Sequence, residues 1–129
     1  MRHLILIALI GIIIPAGALA PNGKAAAGSE ERAIVEFTQT VKLMDVFLTG
    51  KYLIVHDDAK MAGGEACLYV YRQTPGQPDQ LVVSFHCRPV QRARAERFKV
   101  VASPISASIS VPEVREIQFA GAIKAHQIP

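Results

Sequence analysis

The chain has 129 residues, with 14 lysines and arginines against 11 aspartates and glutamates, four histidines, two cysteines and no tryptophan, and half of its residues are hydrophobic. That length allows one small domain, and that hydrophobic share excludes a disordered polypeptide. The net charge of +3 is too small to point to nucleic acid or another polyanion as partner.

Residues 1–27 read as a signal peptide with a small-residue leader. Arg2 is the one charged side chain among the first twenty residues, the run Leu4 to Ile14 is apolar, and small residues follow Pro15. A basic start, an apolar run of roughly 7–15 residues and a small-residue exit make a secretory signal, whereas a spanning helix needs about 20 apolar residues. Ala18-Leu19-Ala20, Ala16-Gly17-Ala18 and Ala25-Ala26-Ala27 compete as cleavage sites, the first of them handicapped by Pro21 directly after the cut. Cleavage gives a periplasmic or extracellular protein; only an uncleaved segment would bring the chain to the membrane, as an N-terminal anchor. Loss of residues 1–27 removes Arg2 and Lys24 and leaves 12 basic side chains against 11 acidic ones. The domain is then 28–129, with Pro21 to Arg32 as a flexible leader.

Beyond the leader the hydrophobic pattern has period two. Val35, Phe37, Val41 and Leu43 share one parity and Glu36, Thr38, Thr40 and Lys42 the other, which predicts a half-buried strand. Runs of the same type follow at Lys51–His56, Ala66–Arg72, Leu81–Arg88, Phe98–Ala102, Ile105–Val111 and Val114–Phe119, separated by Gly50, Gly63-Gly64, Pro75-Gly76, Pro89, Pro104 and Pro112. About seven short strands with closely spaced turn signals predict an all-β fold, a small antiparallel β-sandwich of immunoglobulin-like or related type. Val90 to Arg97 fits a short helix or a basic loop, and the tail 120–129 is compatible with either an ordered or a loose end.

The loop His56-Asp57-Asp58-Ala59-Lys60-Met61-Ala62-Gly63-Gly64-Glu65-Ala66-Cys67 gathers an imidazole, three carboxylates, a thioether and a thiol. Its simplest role is a connection in which Asp57 and Asp58 end the strand, Gly63-Gly64 supply positive φ and Met61 covers the sandwich edge. The chemical alternative is a metal site, zinc or copper, using His56 with Asp57 or Asp58 and a contribution from His86 or His126. The spacing matches neither H-x-x-x-H nor a calcium loop, and His86 shares a polar face with Ser84 and Arg88, which predicts a solvent-side histidine.

The hairpin Cys67–Arg72 and Leu81–Cys87 carries the second expectation. Pairing symmetric about Gln77 sets Tyr71 against Val83, Tyr69 against Phe85 and Cys67 against Cys87, with both tyrosines, Leu81, Val83 and Phe85 on the cysteine face. Opposed strand residues have Cα atoms about 4.5–5.5 Å apart, inside the roughly 4.4–6.8 Å range of a disulfide, and an oxidising compartment favours the bond. A bonded Cys87 is no nucleophile, and adjacent His86 points to the opposite face.

Arg88, Arg92, Arg94, Arg97 and Lys99 form a basic stretch opposed by Glu96 alone, a solvated face or else a patch for an envelope protein or an anionic surface. With Phe98 as its one aromatic it lacks the stacking platform of a nucleic-acid binder. No G-x-S-x-G elbow, phosphate loop, dinucleotide fingerprint or H-E-x-x-H is present.

Leu48-Thr49-Gly50-Lys51-Tyr52-Leu53-Ile54-Val55-His56-Asp57-Asp58, then Gly64-Glu65-Ala66-Cys67 and Phe85-His86-Cys87-Arg88-Pro89, resembles small exported bacterial β-sandwich proteins of uncharacterised function, in which a G-x-Y strand precedes a cysteine-bearing hairpin. The resemblance implies export and fold and transfers no catalytic residue. The expectation is an exported, non-enzymatic binding or structural module of the cell envelope braced by Cys67–Cys87; the alternatives are a metal-binding protein and, third, a weak hydrolase on the same residues.

Overall fold

The computed structural model describes residues 30–129; the signal-peptide reading of 1–27 lies outside the described residues. Two four-stranded antiparallel sheets pack face to face, as the period-two pattern predicts. The first has order β1-β2-β3-β4, from Glu30–Leu43, Val46–Asp57, Leu68–Arg72 and Gln80–Phe85; the second has order β5-β8-β7-β6, from Arg88–Gln91, Lys124–Gln127, Val114–Gln118 and Lys99–Ala102. One short helix, α1 (Asp58–Ala62), interrupts the strands.

β1 begins within the segment expected to be a flexible leader: Glu30, Glu31 and Arg32 pair with Asp57, His56 and Val55 of β2. The inward parity of Val35 and Phe37 continues upstream through Ala33 to Glu31, so the strand starts earlier than its bulky residues suggest. A register shift between Phe37 and Val41 moves the pairing by two residues, from Phe37↔Gly50 to Val41↔Leu48. A two-residue shift preserves the face, and Val41 and Leu43 remain directed at the core. On β2 the matching inward set is Leu48, Tyr52, Ile54 and His56, all buried.

The cysteine hairpin forms, one residue out of the expected register. Leu68 pairs with Phe85, Tyr69 with Ser84 and Val70 with Val83, and a bulge then sets Tyr71 against Leu81. The connection between the strands, residues 73–79, contains a tight turn in which Gln77 N donates to Thr74 O and Gly76 has φ +73°, so the chain does not reverse symmetrically about Gln77. A one-residue slip exchanges faces. Leu68 and Val70 are therefore the buried residues of β3, while Tyr69 and Tyr71 lie half-buried on the outer face and Leu81 is 49% exposed. Val83 and Phe85 do face inward. Cys67 and Cys87 are not opposed in the ladder, yet they form the disulfide at its end with Cα atoms 6.4 Å apart.

The second sheet corrects one expectation and decides another that the sequence leaves open. Ile105–Val111 is no strand: it lies in the connection between β6 and β7, with Ile105 62% exposed. Proline at 104 and 112 brackets the segment; Ile105 and Ala107 are exposed, while Ile109 and Val111 lie half-buried beside Lys42 and Phe47 of the first sheet without joining its ladder. The tail 120–129, which the sequence leaves either ordered or loose, is ordered: it supplies β8, an interior strand between β5 and β7. β7 is interior as well. Val90 to Arg97 contains no helix: β5 ends at Gln91, and the basic loop after it packs back through Arg92 N to Ile123 O and Ala95 N to Ala122 O.

Leu43, Leu48, Tyr52, Ile54, Leu68, Val70 and Phe85 from the first sheet meet Val114, Ile117 and Phe119 from the second in one core. Burying a side chain of this size contributes roughly 1.5–3 kcal/mol. At one end of that core the apolar filling gives way to histidine.

Candidate functional site

His56 is the last inward residue of β2, and Glu31 is its direct cross-strand partner on β1. His126, on β8, pairs with Pro89 of β5 and Ile117 of β7 and points inward from the other sheet. Across the sandwich the two imidazoles stack with centroids 3.9 Å apart and planes inclined by 29°. Both are buried, at 1% and 3% exposure, with Phe119 in tilted and edge contacts at 6.4 and 6.0 Å.

Carboxylates lie on one side of the pair. Glu31 Oε1 is 3.6 Å from His56 Nδ1 and 3.8 Å from His126 Nε2, and Asp58 Oδ1, at the start of α1, is 3.5 Å from His56 Nδ1. These separations exceed N–H···O hydrogen bonds, which run about 2.7–3.2 Å. Among the described residues, both ring nitrogens of His56 are buried without a hydrogen-bond partner. A buried polar atom left unpaired costs about 1–3 kcal/mol, so an orphaned imidazole asks for an explanation.

Sulfur lies on the other side. β4 ends at Phe85 and β5 begins at Arg88, so His86-Cys87 is the two-residue crossing between the sheets. The crossing leaves His86 exposed and sets Cys87 Sγ 3.6 Å from His126 Nδ1. The donor atoms of His56, Cys87 and His126 all lie within 4.8 Å of one another. Cys87 is bonded to Cys67 as the structure stands.

Burial pushes His56 below the ordinary imidazole value of about 6.5, and His126 adds to the depression, while Asp58, Glu31 and Asp57 oppose it. The neutral imidazole, favoured by that balance near pH 7, is the form that binds metals.

Of the residues expected to ligate, His56, Asp58 and His126 do converge. Asp57 does not join them, because its carboxylate caps α1 by accepting from Lys60 N at 3.1 Å. His86 does not either; it faces an open cleft lined also by Cys87, Arg88, Gln127, Ile128 and Pro129. Met61 packs against the core as a cover. Gly64, at φ +81°, carries the positive φ expected of the glycine pair, while Gly63 stays at −80°. Glu31 is the residue that sequence reasoning passed over, although its odd-parity position upstream of Val35 marks it as an inward carboxylate.

The basic stretch is partly consumed within the fold. Arg88 donates to Gln127 Oε1, Arg92 makes a two-pronged pair with Glu116 at 2.7 and 3.2 Å, and Arg94 donates to Gly121 O at 2.6 Å. Arg97 and Lys99 are exposed. Comparison with protein families, curated proteins and solved structures finds no match to this chain.

Proposed function

We propose that the protein is an exported, non-enzymatic binding module whose ligand is a divalent transition-metal ion, zinc or copper(II), held by His56, His126 and Glu31 with Asp58 alongside. The observation that carries the reading is a stacked, buried imidazole pair with orphaned nitrogens on His56 and one carboxylate oxygen near both rings. In a tetrahedral site with metal–ligand bonds of about 2.0–2.2 Å, neighbouring ligand atoms are roughly 3.3–3.6 Å apart. The observed 3.5 and 3.6 Å fall within that spacing and 3.8 Å lies just above it, and all three exceed hydrogen-bond distances. Nitrogen and oxygen donors suit zinc and copper(II).

Export is supported by the apolar run after Arg2 and by a disulfide of the kind oxidising compartments sustain. Binding is favoured over turnover because both sheets cover the imidazoles, which suits retention of an ion better than exchange of a large substrate.

The test is titration of the purified, metal-stripped protein with zinc by calorimetry, paired with thermal melts. One ion per chain is expected, and zinc at about 100 times its Kd adds about 2.7 kcal/mol of stability. The effect disappears in His56→Leu and weakens in Glu31→Gln. A native protein that takes up no stoichiometric ion, or uptake unchanged in His56→Leu, refutes the reading.

A further inference from the structure

We propose that the Cys67–Cys87 disulfide is a redox lock on a second metal-donor set: reduction by a dithiol frees the Cys87 thiolate, which joins His56 and His126 to bind zinc(II). The inference rests on the metal-binding reading of the histidine pair. Its own ground is different, namely the convergence of His56, Cys87 and His126 donor atoms within 4.8 Å and the approach of Cys87 Sγ to His126 Nδ1 at 3.6 Å.

The two edges of the His126 ring face different chemistry. Nε2 looks toward Glu31 and Nδ1 toward Cys87. With the disulfide closed, the sulfur is a weak acceptor with no negative charge, and the oxygen side is the better donor set. With it open, a thiolate replaces that sulfur, and two imidazoles with one thiolate are a set zinc prefers.

The surroundings of the two sulfurs differ in the way such a lock needs. Cys67 is 1% exposed and held in place, its Sγ accepting from Cys87 N at 3.1 Å and lying 3.8 Å from Phe85 O, which can accept from the reduced thiol. Cys87 is half-buried and lines the cleft beside His86 and Arg88. An incoming thiolate therefore attacks Cys87 Sγ, the S–S bond breaks, and Cys67 leaves as the thiolate that the Cys87 N–H stabilises. The second thiol of the reductant then attacks the mixed disulfide, closes its own S–S bond and releases Cys87. Two electrons pass from the dithiol to the protein disulfide, and the two protons of the dithiol balance the two cysteine thiols. Zinc binding then displaces the Cys87 proton to solvent and changes no oxidation state.

Cobalt(II) serves as the probe, since a thiolate ligand gives it an intense near-ultraviolet charge-transfer absorption that nitrogen and oxygen ligands do not. The oxidised protein, the protein reduced by a phosphine and then freed of it anaerobically, and the variants Cys67→Ser and Cys87→Ser are each titrated, with circular dichroism reporting the β-sheet. The band is expected in the reduced protein and, without any reductant, in Cys67→Ser; it is absent from the oxidised protein and from Cys87→Ser. Zinc abolishes it by displacement, and affinity rises on reduction by on the order of tenfold or more. A folded reduced protein without the band overturns the inference, as does a band retained in Cys87→Ser or a reduced chain that loses its sheet. Metal bound by the oxidised protein with no band on reduction leaves the carboxylate-side reading standing and removes this one. A band on reduction with no metal bound to the oxidised protein does the reverse.

Discussion

Replacing His56 with leucine in the metal-free protein should stabilise it. The wild-type ring is 1% exposed, and neither nitrogen has a hydrogen-bond partner among the described residues. Each such atom costs about 1–3 kcal/mol, a penalty that an apolar side chain of similar volume does not incur. Against that gain stand the lost ring stacking on His126, at about 0.5–1.5 kcal/mol, and imperfect shape, at up to about 1.5 kcal/mol. At the middle of these ranges, about 4 against about 1.75 kcal/mol, the balance favours the variant by about 2 kcal/mol. For a domain of about 100 residues each kcal/mol raises Tm by about 4–8 °C. Urea and thermal melts after metal stripping, at about pH 8 where an imidazole of ordinary value near 6.5 is neutral in the unfolded chain, read the difference directly. A variant less stable than wild type by more than about 1 kcal/mol refutes the reasoning, because it would mean that the His56 nitrogens are satisfied in the empty site. The same variant in zinc must then be the less stable of the two, so that metal reverses the order.

Three further outcomes are expected. Burial first, and His126 second, hold His56 below its ordinary value against Asp58, Glu31 and Asp57, so the unfolded chain takes up a proton near pH 6.5 that the folded one takes up only at lower pH. Stability contributed by this group is therefore full above about pH 6.5 and falls as pH drops below it, by up to about 1.4 kcal/mol per pH unit; urea melts across that window should show a slope that His56→Leu reduces, and equal slopes would contradict it. Reduction of Cys67–Cys87, which are separated by 20 residues, should lower stability by about 3 kcal/mol through loop-closure entropy, measured by the urea midpoint with and without a phosphine reductant. A shift near zero would mean that the β3–β4 turn already holds the hairpin in the unfolded chain. Ile105→Ser should change stability by no more than about 0.5 kcal/mol, since the side chain is 62% exposed; a loss above about 2 kcal/mol would place it in a core strand after all.

Ile105 also shows why the alternating pattern is readable as strand and still is not one. Period two records which way side chains would point, and it is blind to whether a partner strand lies alongside. Val35, Phe37, Val41 and Leu43 carry enough bulk to find one in β2; Ile105, Ala107, Ile109 and Val111, bounded by prolines, do not. The hairpin register is weakly specified by sequence because a long connection, residues 73–79, joins the strands, and a slip of one residue is enough to set Leu68 against Phe85 and put Tyr69 outside. The disulfide survived the slip because a bond that tolerates Cα separations of roughly 4.4–6.8 Å accepts a diagonal pair as well as an opposed one.

The candidate site was half legible for a topological reason. His56 and Asp58 are near neighbours in sequence, and their grouping needs only the end of β2 and the first turn of α1. Glu31 joins them through the β1–β2 ladder, so it becomes visible once the inward parity of β1 is followed past its last bulky residue. His126 and Cys87 belong to the other sheet or the crossing into it, and no periodicity states which end of one sheet lies over which end of the other. That choice follows from the two-residue crossing at His86-Cys87: it is too short to carry the chain anywhere but to the start of β5 directly across the sandwich, and β5 pairs Pro89 with His126. The short crossing therefore does two things at once. It delivers His126 to face His56, and it fixes a sulfur against the far edge of the same ring, which is the arrangement that the proposed metal site and its redox lock both require.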